Sequence, residues 1–118
     1  MNITTTRVQS PQCIVIAVDG KIIGTGAIDL EKVLQQAIAD GESRLVLDLE
    51  AAPLISSAGL RVIISTARRL RALPSGDLRL ACASQQMLDV LELAGLLTVF
   101  RVFPSRQEAI QSFEISAR

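Results

Sequence analysis

The residues best placed to do chemistry in this chain are two hydroxyls at a junction. Ser56 and Ser57 stand in Ile55-Ser56-Ser57-Ala58-Gly59-Leu60, which follows a strand-like run, Leu45-Val46-Leu47-Asp48-Leu49, and leads into a stretch with helical apolar spacing. The first N–H groups of a helix lack internal partners, and the aligned peptide dipoles leave partial positive charge there. A phosphate on a serine at such a place is tolerated by the chain that carries it. A docking partner instead meets about two added negative charges that it must desolvate or repel. The chemistry on offer is a modification switch in which the fold stays and a binding surface changes. A plainer role stands beside it: Ser57 as a helix N-cap, worth about 1 kcal/mol through one backbone hydrogen bond, with capping by Ser56 open as well.

Missing residue types exclude most other chemistry. The 118 residues contain no His, Tyr or Trp, so a Ser-His-Asp or Cys-His set, a histidine metal site and a tyrosine acid cannot be built. A hydrolytic serine would also need a Gly-x-Ser-x-Gly elbow, which Ser57 lacks. The three Phe fall late in the chain and form no platform for stacking bases. Gly24-Thr25-Gly26 fails as a dinucleotide fingerprint, because residue 29 is Asp and the length leaves no second half-domain. It reads as a loop that contacts a partner, or as a plain turn. No catalytic residue, metal or cofactor is expected.

Twelve Lys+Arg balance twelve Asp+Glu, which argues against binding nucleic acid or anionic membrane through bulk positive potential. No apolar stretch approaches the eighteen or so residues that cross a bilayer, and Met1-Asn2-Ile3-Thr4-Thr5 lacks the basic-then-apolar order of a secretion signal. A cytoplasmic protein is expected, with Cys13 and Cys82 as small core residues in a reducing compartment.

The elements that must position the two serines follow from periodicity. Ile3–Val8 and Cys13–Val18 read as strands joined by a turn at Ser10-Pro11, the first at a sheet edge. Ala27, Leu30, Val33, Leu34, Ala37 and Ile38 mark a helix stopped by Asp40-Gly41. Leu45–Leu49, apolar on both sides of Asp48, suits a central parallel strand. Leu60, Ile63, Ile64, Ala67 and Leu70 give a helix from Ser57 to Leu73 one apolar stripe. A strand at Leu78–Cys82 follows, then a helix capped by Ser84 and closed by Gly95, a strand at Val99–Val102, and a last helix opened by the Ser105-x-x-Glu108 capping box. Alternating strands and helices predict one α/β domain over residues 1–118, a mixed, mostly parallel sheet of about five strands with about four helices packed mainly on one face. Residues 54–61 then emerge beyond a strand's carboxyl end, where sites gather in such sheets.

Leu45-Val46-Leu47-Asp48-Leu49-Glu50 followed by Leu54-Ile55-Ser56-Ser57-Ala58-Gly59-Leu60-Arg61 resembles the sulphate transporter and anti-sigma factor antagonist (STAS) domain, above all its stand-alone bacterial anti-anti-sigma members. Gly20 after the second strand and Leu88-Asp89-Val90-Leu91-Glu92-Leu93-Ala94-Gly95-Leu96 extend the likeness over nearly the whole chain. The resemblance implies that Ser57 is phosphorylated by a partner kinase. It implies too that the unmodified protein binds an anti-sigma factor, often that same serine kinase, so that a sigma factor is released, and that a metal-dependent serine phosphatase restores the unmodified form. Three positions depart from the sporulation-type pattern: Ser56 replaces an Asp, Ile23 an acidic residue, and Ala58 a second hydroxyl.

The partner-binding surface is therefore expected at Ser56, Ser57, Ala58, Gly59 and Arg61 together with Ile23 and Gly24. Gly59 either admits a close neighbour or simply packs the helix start. Arg61, Arg68, Arg69 and Arg71 form a basic face that is either plain solvated surface or, at Arg61, a contact for an acidic partner or for the phosphate. Asp48 accepts hydrogen bonds within the fold or orients the hydroxyls. The expected protein is a monomer or weak dimer, a kinase substrate without catalysis of its own. The rival is a constitutive scaffold or subunit of a signalling or lipid-transport complex, which needs the surface but not the hydroxyl.

Overall fold

The computed structural model describes residues 1–116. The elements run β1 (Asn2–Gln9), β2 (Gln12–Asp19), α1 (Thr25–Ala39), β3 (Arg44–Ala51), α2 (Ser57–Arg71), β4 (Asp77–Ala81), α3 (Gln85–Leu93), β5 (Val102–Phe103) and α4 (Arg106–Ser116). They build one five-stranded sheet in the order β1-β2-β3-β4-β5, with β1 antiparallel to β2 and every other pairing parallel. The Thr-rich β1 is an edge strand and largely exposed. Its neighbour β2 is buried from Cys13 to Ile16, and β3 lies at the centre.

Side-chain alternation splits the core in two. Ile14, Ile16, Leu45, Leu47, Leu78 and Leu80 point to the face covered by α1, α2 and α3. Cys13, Val15, Val46 and Ala81 point to the opposite face, where α4 packs through Ala109, Ile110 and Phe113. Three helices thus share one face and the fourth takes the other. A capped α3, with the Ser84 hydroxyl accepting from Met87 N–H at 3.1 Å, matches the sequence expectation. In the capping box the Ser105 hydroxyl accepts from Glu108 N–H at 3.1 Å and donates to the Glu108 carboxylate at 3.0 Å.

The last strand is displaced from its expected place. Val99 is 42% exposed and lies in a turn, because the amides of Val99 and Phe100 both donate to Leu96 O and only Phe100 turns inward. Pairing with β4 begins at Val102, opposite Leu80.

Asp48 proves structural. Its carboxylate accepts from Glu50 N–H at 3.0 Å and from Arg106 Nε at 2.8 Å, tying β3 to the first residue of α4. The far end of α4 is held by buried Arg79, which donates to the Ser112 hydroxyl at 2.8 Å and stacks 4.1 Å from the Phe113 ring centroid. Among the described residues, no helix is long and apolar enough to cross a membrane.

Candidate functional site

The site is built where two strand ends hand over to two helices. Beyond the β2–β3 ladder a parallel bridge joins Ile22 to Ile55. Ile22 N–H donates to Leu54 O at 2.8 Å and Ser56 N–H donates to Ile22 O at 3.0 Å. That bridge clamps the segment entering α1 beside the segment entering α2, so the two helix N-termini open next to each other. Neither has an acidic residue in its first turn, which leaves the partial positive charge of both ends uncompensated by side chains.

Local sequence explains each start. Gly24 is the N-cap of α1 at φ 51°, a left-handed conformation that glycine adopts without strain, and no side chain caps this helix. Ser56 is the N-cap of α2 in extended backbone, and its hydroxyl accepts from Gly59 N–H at 3.2 Å. Ser57 is the first helical residue, and its side chain is exposed. Among the described residues the Ser57 hydroxyl has no hydrogen-bond partner, nor do the amides of Ser57 and Ala58. Capping and exposure are thus divided between adjacent serines.

Gly59 is buried, and its role is packing. A Cβ built there would lie 2.6 Å from Ile55 Cγ1 and 2.9 Å from Ile22 Cγ2, so the α2 start rests directly on the Ile22–Ile55 bridge. Its contribution to any surface is to hold Ser57 and Ala58 at their height. The other residues expected at the surface do reach it: Ile23, Gly24, Ala58 and Arg61 are exposed, and Ser56 is half-buried. Gly24, Ala58 and Arg61 also line a shallow groove of about 480 Å³ between α1 and α2. Ile28 shares that groove at 52% exposure, an exposed groove residue that sequence reasoning missed. Its position out of phase with the buried Ala27, Leu30 and Leu34 was the signal that could have found it.

The basic face is smaller than the sequence suggests. Arg71 turns away to pair with Asp77 at 2.8 Å, donate to Val99 O at 2.8 Å and lie over the Phe100 ring. Arg61, Arg68 and Arg69 stay exposed with no ion pair among the described residues. Arg61 sits four residues after Ser57, one turn along the same helix face.

For a metal, the one grouping among the described residues is Asp48, Glu50 and Cys82, whose ligand atoms lie within 4.8 Å of one another. Both Asp48 oxygens are already engaged, one by Glu50 N–H and one by Arg106. Burial, and then the Asp48 charge, push the Cys82 thiol up from its ordinary value, away from the thiolate a metal would need. Within the grouping, Asp48 anchors α4 through Arg106.

Comparison with known proteins places this geometry in context. Residues 4–109 match the STAS domain. The chain is 36% identical over 101 residues to the putative anti-sigma factor antagonist BtrV of Bordetella bronchiseptica, covering 86% of each chain. The fold superposes on an anti-sigma factor antagonist from Mycobacterium paratuberculosis with a TM-score of 0.82 at 25% identity, over 96% of this chain and 95% of that one. The Bacillus protein SpoIIAA shares the fold in its unphosphorylated form, with TM-score 0.81, 18% identity and 96% of both chains covered. Its phosphorylated form does so too, with TM-score 0.73, 20% identity and 94% and 98% covered.

Proposed function

The chain belongs to the STAS domain family as an anti-sigma factor antagonist, a binding regulator rather than an enzyme, and from that premise we propose that Ser57 is its phosphorylation switch. Unmodified protein sequesters an anti-sigma factor that is itself a serine kinase. Transfer of a phosphoryl group to the Ser57 hydroxyl ends that binding, and a metal-dependent serine phosphatase restores it. A sigma factor's regulator works in the cytosol, and the reading places the protein there.

One observation carries the proposal: Ser56 does the capping, and so the Ser57 hydroxyl is left exposed and unengaged at the helix start. A kinase reaches it without unfolding anything. The added phosphate would lie beside the unpartnered amides of Ser57 and Ala58 and within one turn of Arg61, which accommodate it in place. Pressed against a partner, the same dianion must lose water. A desolvation penalty of about 3 kcal/mol lowers affinity roughly a hundredfold.

Two measurements test this. Intact mass of protein from its native host, before and after phosphatase treatment, should show one phosphate that peptide mapping assigns to Ser57. In calorimetric titration with the host's anti-sigma kinase, wild type and Ser57→Ala should bind alike, and Ser57→Asp should bind at least about tenfold more weakly. Equal affinity of wild type and Ser57→Asp refutes the switch and leaves a constitutive scaffold.

A further inference from the structure

The groove beside Ser57 specifies what kind of side chain the partner brings. Its lining is mainly apolar, with Gly24, Ala27 and Ile28 on one wall and Ala58 and Val62 on the other. Ile28 is 52% exposed, and Ile23, adjacent in sequence to Gly24, is 43% exposed. Two branched side chains beside one hollow, next to the proposed acceptor, offer apolar area for a partner to cover.

Charge makes the walls unequal. Helix α2 carries four arginines and no Asp or Glu, and three of those arginines lack an ionic partner among the described residues. Helix α1 carries Asp29 and Glu31 against Lys32. A segment lying between the helices therefore meets Glu31 on the α1 wall and, on the α2 wall, Arg61, which of the α2 arginines lines the hollow. An acidic group on that flank of the segment gains attraction, and a basic one is repelled.

Building on the reading of Ser57 as a switch on an anti-sigma-binding surface, we infer that this groove receives an apolar side chain of the anti-sigma factor, flanked by a carboxylate that pairs with Arg61. The assignment also sharpens the switch. Arg61 lies one turn from Ser57, so a phosphate there competes for the same guanidinium from within the chain. Modification adds repulsion and also removes the counterion of the partner's carboxylate.

The test uses the full chain and each serine-kinase anti-sigma factor of the host, purified singly. Wild type, Ser57→Asp, Ile28→Gln and Arg61→Glu are titrated into each kinase after matching melting temperatures confirm that the variants fold. For the kinase that binds wild type, Ile28→Gln and Arg61→Glu should each weaken binding about tenfold or more. One acidic-to-Arg change in the kinase should restore binding to Arg61→Glu and impair binding to wild type. If Ser57→Asp binds weakly while Ile28→Gln and Arg61→Glu bind like wild type, the groove assignment is overturned and the switch stands. If Arg61→Glu is weakened and no single acidic-to-Arg change in the kinase rescues it, the carboxylate pairing is overturned. If no kinase binds wild type, or all bind Ser57→Asp equally well, the functional reading itself falls.

Discussion

Dividing the work between adjacent serines predicts unequal effects for two nearly identical mutations. Ser56→Ala deletes the hydroxyl that accepts from Gly59 N–H at 3.2 Å. No acidic residue in the first turn of α2 takes over, and the site is half-buried, so water replaces the bond imperfectly. An N-cap Ser→Ala change costs about 1 kcal/mol. In a chain of 118 residues that corresponds to a fall of about 4 °C in melting temperature. Ser57→Ala removes an exposed hydroxyl without a partner and replaces it with a better helix former, so its effect should stay within about 0.5 kcal/mol of wild type, in either direction. Urea titration and thermal melting on the isolated protein read both changes without any binding partner. Ser56→Asp serves as a control, because aspartate caps as well as serine and should recover most of the loss. Equal destabilisation by the two alanine variants, or a larger loss at Ser57, would show that the Ser57 hydroxyl is structural, and the case for a spare phosphate acceptor would fail.

Close packing and buried thiols lead to further expectations. Gly59→Ala forces a Cβ to within 2.6 Å of Ile55 Cγ1 and 2.9 Å of Ile22 Cγ2; overpacking of about 1–3 kcal/mol outweighs a helix-propensity gain of about 1 kcal/mol or less at this terminal position, so urea unfolding should show a net loss, and an unchanged midpoint would contradict the close contact. The two thiols set an alkaline limit: burial, as the leading cause, raises both Cys13 and Cys82 above the ordinary value of 9.0. Their contribution is complete at lower pH and declines as pH rises past about 9, where the unfolded chain sheds protons that the native state still holds. Stability measured across that range should fall less steeply in Cys13→Ala/Cys82→Ala than in wild type, and identical slopes would remove the thiols as the cause.

Most elements were legible because their signals are local. The apolar stripe Leu60, Ile63, Ala67 and Leu70, the capping serines Ser84 and Ser105, and β3, apolar on both sides of Asp48, each read correctly without tertiary information. What failed depends on turns and packing contacts that leave no periodic signal in the sequence. Val99 has strand chemistry, yet the burial of Phe100 and the double donation to Leu96 O turn it outward. Arg71 belongs by spacing to the basic face, and only the approach of Asp77 and Val99 O withdraws it. The roles left open at Ser56, Ser57 and Gly59 rest on the Ile22–Ile55 bridge, which joins residues whose separation no local pattern reveals. Three of the exposed residues that line the groove, Gly24, Ala58 and Arg61, are legible in the sequence as surface candidates, whereas Ile28 gains its place only from the packing of α1 beside α2.

The geometry also accounts for how a large change in binding can accompany a small change in fold. A negative group at a helix N-terminus is favourable by about 0.3–1 kcal/mol, and pairing with an exposed arginine such as Arg61 adds at most about 1 kcal/mol. Both terms are small beside the 5–15 kcal/mol or so that holds a domain together, and both have the stabilising sign. A complex of micromolar affinity rests on about 8 kcal/mol in total, so removing about 3 kcal/mol from it disperses the complex at ordinary concentrations. The asymmetry requires that the charge be placed where the fold can solvate it and the partner cannot. A hydroxyl on a strand facing the core would fail the first condition, and one on a remote loop would fail the second. At the first residue of α2, beside an apolar groove and clear of the capping bond, Ser57 meets both.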